Sequence, residues 1–180
     1  MTRLTKWFGM MIVGTKLALV LGAAAPYVQP ATQTVTSRDG QVRLVVPAGW
    51  AKVTDAGDET GIRLEDKSKD ICLSVGVERK DGLGTKYALR EQSRQMMEQS
   101  LAVVGHSQFE NGPTELRIHG CPAIRYQLTG TFHEKNVTCL YTVVETDRAF
   151  YQILAVTSSS HFDRNQDDME LASNGFSESP

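Results

Sequence analysis

Side chains able to bind a metal or to carry acid–base chemistry are few in this sequence, and most stand far apart. The four histidines, His106, His119, His133 and His161, never fall at the i, i+2 or i, i+4 spacings that bring two imidazoles to one ion. The nearest approach to a cluster is His161, Asp163, Asp167 and Asp168, where Asp163 and Asp167 lie one helical turn apart. His161, Asp163 and Asp167 are therefore weak candidates for a surface ion. The ordinary reading is a solvated acidic helix start favoured by the helix dipole, and no metal site is expected. Asp55, Asp58 and Glu59 lack the alternating oxygen ligands and closing Glu of a calcium loop. Ser158-Ser159-Ser160-His161 sets hydroxyls beside an imidazole, but neighbours at a strand end point apart. No Gly-x-Ser-x-Gly, Gly-rich phosphate loop or Cys-x-x-Cys occurs. No catalytic residue and no cofactor is assigned, and the chain reads as a non-enzyme.

The three cysteines, Cys72, Cys121 and Cys139, allow at most one internal bridge. Cys121 and Cys139 sit on neighbouring strands of a hairpin but far along it from one another, beyond the roughly 7 Å that a disulfide spans. Any bridge should then join Cys72 to Cys139 or to Cys121. The alternative is three small hydrophobes in sheet positions.

Whether a bridge can form depends on the compartment, and the first residues speak to that. Arg3, Lys6 and Lys16 occur without an acid ahead of the apolar run Leu17 to Ala25, which ends in small residues. This is the layout of a secretory signal peptide, with Gly22 and Ala24 fitting cleavage after Ala24. The expectation is an exported chain, periplasmic or secreted, meeting a membrane only through that segment if it stays uncleaved. Its loss removes three cations and leaves the exported part mildly acidic. The whole chain balances 19 basic against 21 acidic residues, which argues against a nucleic-acid partner.

The remaining sequence has the length of a single domain. Residues 25–40 are rich in Thr, Gln and Pro and read as a flexible lead-in, so the domain is expected over 41–180. Val42, Leu44 and Val46 alternate as a strand that Pro47-Ala48-Gly49-Trp50 stops. Short strands at Trp50–Thr54 and Gly61–Glu65 flank an acidic loop. Ile71, Leu73, Val75 and Val77 point one way and Cys72, Ser74, Gly76 and Glu78 the other. Thr85 can cap a helix reaching about Val104, with Leu89, Ser93, Met96, Met97, Leu101 and Val104 on one stripe. Strands follow at Ser107–Glu110, Thr114–Ile118, Ala123–Phe132, Val137–Glu145 and Ala149–Ser158. If the turn at 133–136 is symmetric, Leu128 faces Tyr141 and Gly130 faces Cys139. The last strand is apolar on both sides, so it needs cover on both faces, the second supplied by a helix over Phe162–Ala172. The fold class is α+β: an antiparallel sheet of about six to seven strands with helices on both faces.

This order of elements resembles the PsbP-like domain, which includes exported bacterial DcrB-like proteins. The resemblance rests on Val45-Val46-Pro47-Ala48-Gly49-Trp50, on Gly120-Cys121-Pro122-Ala123 opening a strand with Arg125 and Tyr126, on Ala149-Phe150-Tyr151, and on the closing Phe162 helix with Phe176. It implies a mostly non-enzymatic accessory or protein-binding module, using a sheet edge or the outer face of a helix against a protein partner. A different class of function is a small-ligand or metal-ion carrier with a pocket between sheet and long helix, lined by Trp50, Met96, Met97 and Tyr141. A third is an immunity-type or chaperone protein paired with a secreted effector.

Overall fold

The structure is a computed structural model and describes residues 31–53, 61–82, 88–101 and 105–179. The proposed signal peptide, the acidic loop and Thr85 lie outside these residues. Seven strands form one antiparallel sheet: β3 (Ala51–Lys52), β4 (Ile62–Asp66), β5 (Ile71–Arg79), β6 (Gly105–Ile118), β7 (Cys121–Phe132), β8 (Lys135–Glu145) and β9 (Ala149–Ser158), ordered β3-β4-β5-β9-β8-β7-β6. A smaller sheet sets β2 (Val42–Pro47) between β1 (Thr32–Thr36) and β10 (Phe176–Glu178). Helix α1 (Leu89–Leu101) and helix α2 (Phe162–Asn174) complete the fold.

The period of two in the strand sequences makes the large sheet a partition between two cores. On one face, Leu73, Val75, Ile153, Ala155, Leu140 and Val144 pack under β2, Phe176 and the α2 residues Phe162, Met169 and Ala172. On the other, Met96 and Met97 of α1 pack on Ile124, Tyr126, Cys139, Tyr141, Val143 and Phe150. Strand β9 feeds both, as its sequence demanded: Tyr151, Ile153 and Ala155 are buried in the first core, while Phe150 is buried in the second with Leu154 and Val156 packed beside it. Each fully buried Leu, Ile, Val, Phe or Met among them contributes about 1.5–3 kcal/mol. Among the described residues no helix is long and apolar enough to cross a membrane.

Four expectations need correction. The lead-in is not all flexible, because Thr32–Thr36 pairs with Arg43–Pro47 as β1, the β-branched Thr and Val residues supplying strand propensity that a Thr/Gln composition hides. The two strands expected over Ser107–Ile118 are one strand, whose register with β7 shifts once between Gly105 and Gln108 and twice around Asn111-Gly112-Pro113, where proline has no N–H to give the ladder. The β7–β8 connection is a two-residue turn, His133-Glu134, with φ of 47° and 64°, rather than a symmetric four-residue one. Positive φ at both positions is the turn whose twist matches the flanking strands. Leu128 consequently faces Cys139 and Gly130 faces Val137, two residues from the expected register but on the expected faces. Helix α1 begins at Leu89, with Ala88 still outside it, later than a cap at Thr85 would place it; the expected end near Val104 lies outside the described residues.

Candidate functional site

The residues singled out from the sequence do not converge. Met96, Met97 and Tyr141 meet beneath α1, each about 1% exposed, but Trp50 is buried in the core on the opposite face of the sheet. A four-residue pocket of Trp50, Met96, Met97 and Tyr141 does not exist, because the sheet stands between the indole and the rest. Trp50 follows the Pro47–Gly49 turn and is carried under β2, where its Nε1 finds no partner among the described residues. The candidate ion ligands also separate. Asp163 and Asp167 are exposed on α2, Asp168 pairs with Lys69, and His161 Nδ1 lies 3.7 Å from Asp70. Among the described residues no three His, Cys, Asp or Glu side chains are placed to share an ion.

The cysteines are all free. Cys72 and Cys139 both pair across to Val156, so they lie in one row on one face with β9 between them. Two strand spacings are about 9.5 Å, too far for a disulfide. Cys121, at the start of β7, belongs to the opposite core and lies at the other end of the sheet from Cys72. A bridge from Cys72 to either partner, left open by the sequence, does not fit this register. Burial pushes the Cys139 thiol up to about 11. The exposed Cys72 thiol is also raised, first by desolvation and then by the Glu65 and Asp70 carboxylates.

What the fold does assemble lies on the α1 face. The Tyr141 hydroxyl donates to Gln152 Oε1 at 2.6 Å, and the Ser100 hydroxyl of α1 donates to the same oxygen at 3.0 Å. This ties the last full turn of α1 to the centre of the sheet. Burial holds the Tyr141 hydroxyl protonated well above the usual tyrosine range. Nearer the other end of α1, Ser93 and Tyr126 share a hydrogen bond of 2.9 Å. Outside that contact a hollow of about 580 Å³ opens between α1 and the edge strand β6, lined by Arg90, Arg94, Met97, Phe109, Pro113 and Tyr126 among others. Phe109 is 59% exposed, with its ring 6.1 Å from that of Tyr126. The sequence pattern marked Ser107–Glu110 only as a strand and did not single out Phe109. The available signal was an aromatic residue just before the ladder-breaking Gly112-Pro113.

No family model matches the sequence, and no curated protein does. Solved structures do match at the level of fold. The cyanobacterial PsbP (CyanoP) from Synechocystis sp. PCC 6803 is 14% identical, with a TM-score of 0.62 over 88% of this chain and 99% of that one. LpqN, involved in cell envelope biogenesis of Mycobacterium tuberculosis, is 14% identical with a TM-score of 0.58 over 83% and 91%. A Pseudomonas aeruginosa protein of unknown function is 10% identical with a TM-score of 0.53 over 83% and 98%. Together with the two-faced antiparallel sheet, these likenesses establish that the chain has the PsbP-like α+β fold.

Proposed function

We propose that the chain is an exported, non-catalytic accessory module of the cell envelope that binds a protein partner through the surface around Phe109. The carrying observation is that ring itself: a large aromatic side chain, 59% exposed, beside Tyr126, Met97 and Pro113 and bordered by two arginines of α1. Aromatic residues, Met and Arg are the types enriched where protein interfaces concentrate their binding energy. Arg94 is held between Glu91 and Glu98, and Arg90 reaches Glu115, so the rim is charged but internally paired, as expected around an apolar centre. The export reading draws on the basic and apolar pattern of residues 1–24. The envelope reading draws support from the fold likeness to LpqN.

The test is capture from envelope extract with the full chain and with Phe109→Glu, both folded by their melting curves. A stoichiometric protein retained by the natural chain and lost by the variant is the expected result. No such protein, or one held equally by both, overturns the assignment.

A further inference from the structure

Beyond Ser100 the α1 face of the large sheet continues as two hollows joined through Arg63, Ser100 and Leu154, which line both. The smaller, about 220 Å³, is polar at its base. Its floor is set by Ser74 and Gly76 of β5, and a β-carbon built on Gly76 would meet nothing within 4 Å. Tyr141 and Ser100 both donate to Gln152 Oε1, which leaves the Gln152 NH2 group to donate to a guest. Arg63 adds a cation, and the described lining of this hollow holds no acid.

The larger hollow, about 620 Å³, has an apolar floor of Cys72, Leu154, Val156 and Val137, walled by Phe132, which is 41% exposed. Beyond this floor, away from Arg63 and Ser100, polar groups return with Asp70, His133, Lys135 and Ser158. From Gln152 to Ser158 the trough follows β9 for about 20 Å at ~3.3 Å per residue. One end therefore offers a cation and an amide donor, while the middle offers a long apolar bed. Ligand sites have this character: mostly apolar, with a few polar groups that fix orientation.

We infer that this trough binds a long-chain fatty acid, its alkyl chain lying over Cys72, Leu154 and Val156 and its carboxylate received by Arg63 and the Gln152 amide. The site is separate from the Phe109 surface: it runs along β5 and β9 to the β7–β8 turn and shares no lining residue with the hollow beside Phe109. Either assignment can fail without the other.

The test titrates the full chain with palmitate below its micellar concentration, reading displacement of a fluorescent fatty acid. One saturable site of micromolar affinity is expected. Arg63→Gln weakens it about tenfold or more, as loss of a charge-assisted contact does. Methyl palmitate, which lacks the carboxylate charge, and lysophosphatidylcholine, which carries a bulky zwitterionic head, bind at least tenfold more weakly. Cys72→Trp fills the floor and abolishes binding, and N-ethylmaleimide on Cys72 of the folded natural chain does the same without relying on that variant to fold. Phe109→Ala leaves binding unchanged. Absence of saturable displacement, equal affinity for the methyl ester, or full binding after Cys72 is blocked each overturns the assignment.

Discussion

Gly175 approaches Val45 so closely that a β-carbon at position 175 would lie 2.1 Å from the Val45 carbonyl oxygen and 2.9 Å from its carbon. The contact is also a hydrogen bond, since Val45 N donates to Gly175 O at 3.0 Å. Gly175 has φ of −75°, so close approach, not backbone conformation, demands glycine here. The pair fixes where α2 stops and lets Phe176–Glu178 reach β2 in register, Phe176 opposite Leu44. Gly175→Ala should cost about 2–4 kcal/mol, because the atom it meets is backbone and cannot swing aside. Urea unfolding measures this, and a variant as stable as the natural chain would show that β2 can yield.

The β7–β8 turn carries avoidable strain. His133 and Glu134 both hold positive φ, a region that costs an L residue with a long side chain roughly 1–2 kcal/mol. Replacing the pair by Asn-Gly, the preferred sequence for this turn, should raise stability by about 1 kcal/mol. A melting temperature unchanged or lowered would mean that the two side chains contribute contacts offsetting the strain.

The thiols should separate in reactivity without any bridge. Cys72 is exposed, whereas Cys139 is buried with its thiol pushed up to about 11. Alkylation of the folded chain should modify Cys72, slowly because Glu65 and Asp70 disfavour its thiolate, and reach Cys139 only after denaturation. Intact mass with and without reductant should show no internal disulfide. A mass increase of two hydrogens on reduction would contradict the strand register.

Alkaline pH should unfold the protein by linkage. Tyr141 is raised chiefly by burial, Tyr151 by burial and then by the Glu178 carboxylate to which it donates at 2.7 Å, and Cys139 by burial alone. In the unfolded chain tyrosine ionises near 10 and cysteine near 8.5, so above these values the unfolded state holds fewer protons than the folded one. Stability from these three groups is present below about pH 8 and falls progressively as pH rises. Melting temperatures between pH 8 and 11 check this, and Cys139→Ala should flatten the earliest part of the decline.

The features legible in the sequence were those with strong local periodicity. The alternation in Ile71–Arg79 places Leu73 and Val75 in one core and leaves Cys72 and Ser74 on the other face, and the doubly apolar β9 announces cover on both sides. Met96 and Met97 follow from the helical stripe. Misreadings came where backbone geometry outranks composition. A two-residue turn at His133-Glu134 was hidden by four consecutive polar residues, and β1 by its scarcity of large aliphatics. The proposed pocket failed because no local pattern tells which face of the sheet receives Trp50 after a turn. Phe109, the Gly175 contact and the trough all arise from residues distant in sequence, so periodicity could not reveal them.

The irregular pairing of β6 has a further consequence for recognition. With three register shifts and Pro113 along its length, this outer strand cannot offer an even row of amides and carbonyls to an extended peptide. Among the described residues the opposite border is the two-residue strand β3. Any protein that meets the molecule at the Phe109 edge must therefore read its side chains rather than extend its sheet. Such a contact can be retuned by single side-chain substitutions, and the same irregularity guards the chain against stacking edge to edge with its own copies.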